Sequence, residues 1–319
     1  MAIWYCDANQ TYTATASNLG TQVSPWGGVG GIQRALATMA ASDSLYISVT
    51  TTTGITLNVN KNIKITITAT TGAPAVGDIV YESSDAVGTP IANCTGVISR
   101  IESVTSIWIE STGSVDWTTG ATKYIYKAGP VQLAGPITAC PATALTCVTS
   151  GSSTNYSTIL AVNSLWADDG SMLTLDGNSA VMASGFNYSG IYYLLTKNLK
   201  VTRIGSIGFN GNNPSLVFEN CQATNNGTWG FQLNNYNLIY KCLSSGNVSG
   251  GFNIGTGVVV DSCLASGSTN AYGIRASGNA NVIINSISFG NQYGIYLIAY
   301  IQDIYYNPGL FIYREILRD

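Results

Sequence analysis

The sequence predicts an all-β chain that winds for most of its length as a right-handed parallel β-helix, one coil per 21 to 23 residues. The first observation is a repeated Gly-Phe or Gly-Ile dipeptide, whose successive spacings are 23, 22, 21, 22 and 21 residues. Its glycines are Gly185, Gly208, Gly230, Gly251, Gly273 and Gly294. A fixed period of this length is the signature of a solenoid, and it is too short for a strand–helix–strand crossover.

A cysteine ladder in register with the dipeptides is the second observation. Cys221, Cys242 and Cys263 are each 21 residues apart, and the alignment of residues 217–221, 238–242, 259–263 and 283–287 puts Ile287 at the next position. Three sulfurs stacked one coil apart cannot form a tetrahedral site, and buried cysteine packs as a small hydrophobe. The ladder therefore predicts core packing and no metal site.

Composition is the third observation. Charged residues make up 9% of the chain, and Ser, Thr, Asn and Gly supply most of the polar side chains. These residues favour turns and strands over helices. The seven cysteines include no CxxC pair, so we expect free thiols, although Cys140 and Cys147 could close a small loop.

Residues 1–72 are predicted to hold the N-terminal cap and the first coils. Residues 3–7 form a short strand pattern, and residues 31–41 form a helical pattern with Ile32, Leu36 and Met39 on one face. Residues 44–48 and 63–68 alternate as strands. We expect the helix to cover the open end of the solenoid, where unpaired strand edges would promote aggregation.

This N-terminal pattern resembles the pectate-lyase-like β-helix superfamily. Its members often open with a strand that ends in Asp, a capping helix of the form IQxAL, and a first coil that begins with Gly-Asp. The chain matches at Tyr5, Asp7, residues 32–36 and Asp43, while Ser42 stands where Gly is common. The resemblance spans residues 1–72 and about 140–300, and it implies the fold far more than the function.

Residues 73–135 break the coil period. Longer alternating strands joined by Gly-containing turns predict a small β-barrel or sandwich, inserted as a domain. The main solenoid is predicted over residues 136–299. Residues 300–319 are rich in apolar and aromatic side chains outside any repeat, which predicts a C-terminal cap or a docking tail.

Several function classes are excluded by residue content. The chain has 319 residues and no histidine, which rules out Ser-His-Asp and Cys-His catalysis and His-ligated metals. Its net charge is −3 with 13 Lys and Arg, so no basic cluster predicts nucleic-acid binding. No apolar stretch approaches the roughly 18 residues of a membrane span, and the start lacks a signal-peptide pattern.

The glycines that precede the predicted helix invite a phosphate-loop interpretation. They are Gly27, Gly28, Gly30 and Gly31. The Gly-Lys-Ser/Thr ending and the β-α-β context of such a loop are both missing. We therefore expect a hinge between loop and helix here, and no cofactor is predicted.

Paired carboxylates are the weak catalytic candidates. Glu219 and Asp261 occupy one position two coils apart, about 9.5 Å along the axis, with Tyr240 between them. That separation lies at the upper edge of the range used by inverting glycosidases. A second group consists of Asp168, Asp169 and Asp176, and basic partners could be Lys241 and Arg275. Solvated surface is the favoured interpretation of both carboxylate groups.

Three aromatic residues recur near the turns of the repeat. Trp229, Tyr272 and Tyr293 could form a strip that binds sugars, or they could be half-buried flanking residues.

A β-helix with few charges and no histidine, without a signal-peptide pattern and with a barrel insertion and an aromatic tail, resembles a bacteriophage virion protein. It implies a structural role as a homotrimeric capsid decoration or cement protein, with the major capsid protein or another virion protein as partner, assembled in the host cytoplasm. The alternative is a tailspike or fibre that binds or depolymerises a host surface polysaccharide, as a hydrolase or lyase. The structural role is favoured because the first strand begins at residue 3 and the carboxylate pattern is thin. A secreted polysaccharide lyase ranks third.

Overall fold

The described part of the chain is almost entirely β-structure. The computed structural model describes residues 2–8, 20–21, 25–49, 56–58, 61–85, 87–114, 116–127, 131–139, 144–179, 182–268, 271–298, 303–305 and 312–313. Its N-terminal elements are β1 (Ile3–Asp7), β2 (Trp26–Gly27), α1 (Gly28–Thr38), β3 (Ser44–Val49) and β4 (Thr56–Asn58). No helix among the described residues is long and apolar enough to cross a membrane.

Six strands in the middle of the chain form a closed antiparallel barrel, in the order β10-β5-β8-β7-β6-β9. They are β5 (Asn62–Thr70), β6 (Ile79–Ser83), β7 (Pro90–Ser103), β8 (Ser106–Ser111), β9 (Tyr124–Lys127) and β10 (Val131–Ala139). The barrel has its own core, which includes Ile65, Ile98, Ile107 and Ile125. The strand β5 was predicted to precede the barrel, yet it lies between β8 and β10. Its alternating isoleucines suit either kind of sheet, so only the partner strands decide its place.

The remaining strands form coils. They are β11 (Leu145–Thr146), β12 (Ser157–Asn163), β13 (Leu173–Asp176), β14 (Ser184–Asn187), β15 (Leu194–Lys197), β16 (Leu199–Thr202), β17 (Ile207–Gly211), β18 (Leu216–Glu219), β19 (Gln222–Thr224), β20 (Trp229–Leu233), β21 (Leu238–Tyr240), β22 (Leu243–Ser245), β23 (Gly250–Ile254), β24 (Val259–Asp261), β25 (Leu264–Ser266), β26 (Tyr272–Ala276), β27 (Val282–Ile284), β28 (Ile287–Phe289), β29 (Tyr293–Leu297), β30 (Asp303–Tyr305) and β31 (Ile312–Tyr313). The predicted C-terminal cap or tail at 300–319 lies outside the described residues, apart from β30 and β31.

Three parallel sheets run along the solenoid axis. In the described residues, sheet 1 has 10 strands in the order β2-β1-β3-β12-β15-β18-β21-β24-β27-β30. Sheet 2 has seven strands, from β4 and β13 to β28, and sheet 3 has eight, from β11 and β14 to β31. From β12 to β29, each coil contributes one strand to each sheet. The prediction of an all-β parallel solenoid is confirmed.

The Gly-Phe repeat forms the inner ladder of sheet 3. Phe186, Phe209, Phe231 and Phe252 pair in register and are fully buried. The ring centroids of Phe209 and Phe231 lie 4.8 Å apart, and those of Phe231 and Phe252 lie 5.0 Å apart. Stacking at this distance follows from the spacing of adjacent strands, so a one-coil period builds a continuous core.

The cysteine ladder lies in the core, with one correction. Cys221, Cys242 and Cys263 are buried free thiols. The next position belongs to Ser286, whose Oγ accepts a hydrogen bond from the Cys263 amide at 3.2 Å, whereas Ile287 pairs with Leu264 and points outward. The coil from Cys263 to Ser286 is 23 residues long, whereas the sequence alignment placed the next position 24 residues after Cys263, at Ile287. The Ser286 hydroxyl is tolerated because it donates to main-chain carbonyls. Of the pair considered for a loop, Cys147 is free and Cys140 lies outside the described residues.

The helix α1 begins at Gly28, three residues before the predicted start, and ends at Thr38. Val29, Ile32 and Leu36 are buried in the same core cluster as Leu45 of β3 and Leu145 of β11. The Gln33 side chain accepts a hydrogen bond from the Thr146 amide at 3.2 Å. The apolar face of the helix therefore packs on the solenoid core.

Candidate functional site

Two groups of side chains lie on the outer faces of the solenoid, and the first is an acid–lysine cluster on sheet 1. It consists of Asp168, Lys197 and Glu219. Lys197 ends β15 and pairs with Glu219 at the end of β18, while Asp168 comes from the loop after β12. The Lys197 Nζ lies 2.8 Å from Asp168 Oδ2 and 2.9 Å from Glu219 Oε1. The structure thus brings two predicted candidates together through a lysine that the sequence interpretation missed.

The protonation of this cluster follows from its contacts. Partial burial acts to raise the pKa of Asp168, but hydrogen bonds from Lys197 and Asn198 outweigh it and the pKa is lowered. The hydrogen bond to Asp168, reinforced by Glu219, raises the pKa of Lys197. Near neutral pH, Asp168 is a poor proton donor and Lys197 a poor base. Chemically, the cluster is an ion-pair array.

The predicted pair of Glu219 and Asp261 has the expected register. Glu219, Tyr240 and Asp261 occupy one outward column on three successive coils. Asp261 Oδ1 accepts hydrogen bonds from Ser262 at 2.9 Å and from Asn285 at 3.2 Å. The column places the two carboxylates on one face, and the catalytic role remains a prediction.

The other two acidic candidates, Asp169 and Asp176, lie outside the acid–lysine cluster. Asp169 accepts hydrogen bonds from Asn163 at 3.0 Å and from the Ser171 amide at 2.9 Å, and so stabilises a turn. Asp176 is buried, and its carboxylate forms an ion pair with Arg203. Both contacts have a local structural purpose.

The second group is an aromatic strip on the outer face of sheet 3, made of Trp229, Tyr272, Tyr293 and Tyr296. Trp229 and Tyr272 stack with centroids 6.1 Å apart across Gly250 of the intervening coil. The Tyr272 ring lies 5.1 Å from that of Tyr293 and 4.8 Å from that of Tyr296. All four side chains are half-buried, so the strip is a surface of apolar ring atoms.

A polar column runs beside the strip. Asn210, Gln232, Asn253 and Arg275 pair in register on successive coils. The Arg275 guanidinium lies 5.9 Å from the centre of the Tyr272 ring. The Oδ1 atoms of Asn210 and Asn253 are buried and have no hydrogen-bond partner among the described residues. The described strands of sheet 3 contain no Asp or Glu.

This arrangement suits a polar ligand with an apolar face. Aromatic rings with a few fixed hydrogen-bonding groups are typical of small-molecule and sugar sites.

Within the described residues, no three His, Cys, Asp or Glu side chains are grouped to hold a metal ion. Among the glycines at the start of α1, the Gly30 amide donates to the Glu110 side chain at 2.8 Å, so the protein's own carboxylate occupies that N–H group.

Five residues of these surfaces were missed from the sequence: Lys197, Asn210, Gln232, Asn253 and Tyr296. Lys197 stands 22 residues before Glu219, one coil length, so the repeat could have found it. Gln232 and Tyr296 each stand three residues after a candidate aromatic, whereas strand alternation places every second residue on one face, so periodicity does not reveal them.

Comparisons with known proteins find likeness in structure only. No protein-family model matches the chain, and no curated protein matches it. The crystal structure of pectate lyase Pel9A is similar with a TM-score of 0.52 and 15% identity, over 91% of this chain and 54% of that chain. A rhamnogalacturonan lyase has a TM-score of 0.47 and 15% identity, over 92% of this chain and 58% of that chain.

The chain therefore spans little more than half the length of the solved structures that it resembles. At 15% identity, the likeness to Pel9A shows the fold alone: an all-β parallel solenoid of the right-handed type. The predicted superfamily resemblance agrees with this finding at the level of the fold.

Proposed function

We propose that the chain is a glycan-binding β-solenoid, which is the role expected of the tailspike or fibre alternative. The observation that carries this proposal is the aromatic strip beside the column of side-chain amides on sheet 3. Sugars present apolar C–H faces to aromatic rings and hydroxyl groups to amides, so both parts of the surface find a partner. The absence of Asp and Glu from the described strands of sheet 3 keeps this surface free of charge repulsion toward acidic substituents.

Binding is favoured over cleavage by the state of the acid–lysine cluster. Glycoside hydrolysis needs a carboxyl that is protonated near the working pH, and the pKa of Asp168 is lowered. The pKa of Lys197 is raised, which disfavours a neutral amine base. The name of Pel9A describes a lyase that acts on pectate, and a polysaccharide-facing solenoid is compatible with glycan binding by this chain.

The test is a binding measurement on an array of bacterial surface polysaccharides and plant-cell-wall oligosaccharides. Three proteins are compared: the wild type, Trp229→Ala, and the control Phe289→Ala, which removes an exposed aromatic ring from sheet 2. Binding to at least one glycan that only Trp229→Ala lowers, by about tenfold or more, supports the proposal. Absence of binding to every glycan on the array, or equal binding by Trp229→Ala, would contradict it.

The virion assignment is a separate proposal. It comprises a bacteriophage origin, a homotrimer, and a capsid or tail location. Electron microscopy of virions labelled with an antibody to this chain distinguishes the roles: many copies on the shell favour decoration, and a few copies at the tail favour the fibre. A monomeric protein that is absent from virions would overturn both.

We also propose that α1 caps the solenoid and that the barrel is an inserted domain. Support for the cap comes from Val29, Ile32 and Leu36, which pack into the solenoid core. Support for the domain comes from the separate core of the barrel. Residues 61–139 expressed alone should unfold cooperatively on heating. A flat melting curve without a transition would argue against an independent domain.

A further inference from the structure

A second aromatic residue, Tyr236, lies on the same coil as Trp229, at the other end of the arc formed by residues 229–236. Tyr236 lies seven residues further along, in the turn between sheet 3 and sheet 1, with a backbone φ of 50°. Its side chain is 65% exposed, the largest exposure of any aromatic side chain among the described residues. A left-handed backbone conformation is costly for tyrosine, so the turn of the coil must stabilise the main chain at Tyr236.

Both aromatic rings lie against glycines of the following coil. Trp229 pairs with Gly250, and the indole occupies the space that a Cβ at Gly250 would need. The Tyr236 ring occupies the corresponding space at Gly257. Gly250 and Gly257 are also seven residues apart, with φ of 150° and 67°, so a larger residue is disfavoured at each. The chain thus seats two rings of one coil directly on the main chain of the next.

The arc between the two rings carries only uncharged amides on its outer side. Gln232 is half-buried, and Asn234 and Asn235 are exposed. Asn234 Nδ2 donates to Asn212 Oδ1 at 3.2 Å, and Asn235 Oδ1 accepts from the Thr256 amide at 3.3 Å. Each asparagine is thereby fixed by one atom and presents the other to solvent, without a partner among the described residues.

We infer that Tyr236 is a second sugar-stacking contact, so that one glycan chain extends from the aromatic strip around the coil to the edge of sheet 1. This inference rests on the proposed function. Seven residues of extended chain span at most about 23 Å, which is the upper limit for the distance between the two rings, and the ligand that bridges them is an oligosaccharide. Its hydroxyl groups bond to the amides of Gln232, Asn234 and Asn235, and its two ends stack on Trp229 and Tyr236.

The experiment uses the full chain and the glycan that binds best on the array, both as a long oligosaccharide and as its shortest bound fragment. Affinity is measured by calorimetry for the wild type, Tyr236→Ala, Tyr236→Phe and Trp229→Ala. Tyr236→Ala should weaken binding of the long oligosaccharide by about tenfold or more and leave the short fragment unchanged. Tyr236→Phe should retain binding of both, because the ring face remains. Trp229→Ala should weaken binding of both.

The two hypotheses fail in different ways. If Trp229→Ala weakens binding and Tyr236→Ala does not, the second contact is wrong and the glycan-binding proposal stands. If neither variant changes the affinity, both are wrong. Equal loss for the short fragment in Tyr236→Ala would also overturn the inference, since it would place both contacts in one subsite. Thermal melts of each variant verify that the exposed substitution leaves the fold intact.

Discussion

Replacement of Glu110 by glutamine should make the chain more stable at high pH. Glu110 lies on β8 of the barrel and accepts hydrogen bonds from the Gly30 and Val29 amides at the start of α1. Burial raises the pKa of Glu110 from 4.5 to about 7, although the two amide hydrogen bonds act to lower it. The helix N-terminus favours an anion, and the loss of hydration outweighs that preference.

The magnitude follows from linkage between protonation and folding. The folded state binds this proton more tightly than the unfolded chain, so the stabilisation is complete below pH 4.5 and is lost as the pH rises through about 7. Between the two pKa values, each pH unit lowers the unfolding free energy by about 1.4 kcal/mol, which gives a loss of about 3 kcal/mol in total. Glutamine stays neutral, and its amide oxygen can still accept the Gly30 N–H group.

Urea unfolding between pH 4 and pH 9 measures the effect. We expect Glu110→Gln to match the wild type near pH 4.5 and to exceed its unfolding free energy by about 2 to 3 kcal/mol at pH 8.5. A matched control is Glu102→Gln, because the hydrogen bond from Lys64 lowers the pKa of Glu102. That control should be less stable than the wild type at pH 8.5 and converge with it in acid. A difference between wild type and Glu110→Gln that is constant across this range would refute the reasoning.

Three further predictions concern the core, the barrel and the surface. Phe231→Ala should lower the unfolding free energy by about 3 to 5 kcal/mol in urea titration, because it removes a fully buried ring stacked on both sides; a loss under 1 kcal/mol would contradict the ladder. Thr118→Val should lower the unfolding free energy by about 1 to 3 kcal/mol, because the Thr118 hydroxyl donates a hydrogen bond to the fully buried Glu82 carboxylate. An unchanged melting temperature in a thermal unfolding measurement would disprove this role. Lys197→Met should raise the pKa of Asp168 in an NMR titration, because its main stabilising partner is lost; an unchanged titration would show that Asn198 suffices.

The repeat was predictable because equivalent residues of successive coils pair in register. Glycine and phenylalanine recur at one coil length, and parallel pairing places equal positions side by side, so the inner ladder and the column from Glu219 to Asp261 follow directly. The prediction failed at Ile287, because the coil from Cys263 is 23 residues long and the alignment had allowed 24; the hydroxyl of Ser286 takes the place of a thiol there. A period detects the repeat, and it cannot detect a change of length within one coil.

The surfaces were less predictable because they combine separate elements. Asp168 reaches Lys197 from a loop 29 residues earlier, which no strand pattern shows. Tyr236 becomes visible as a candidate only when Gly257 is placed beneath it. The start of the barrel was missed for the same reason, since Asn62–Thr70 has the alternation of a solenoid strand and the partners of a barrel strand.

The pairing of β3 with β12 has a consequence for the order of folding. Tyr46 pairs with Leu160, 114 residues away, whereas Phe231 pairs with Phe252, 21 residues away. The longer closure costs about 1.5 kcal/mol more in chain entropy. During synthesis, the edge of β3 has no β12 to pair with until residue 163 has left the ribosome, and it is exposed to other chains in that interval. We expect pulsed hydrogen exchange to show protection of β20, β23 and β26 before β3, so that the end of the protein made first becomes ordered last.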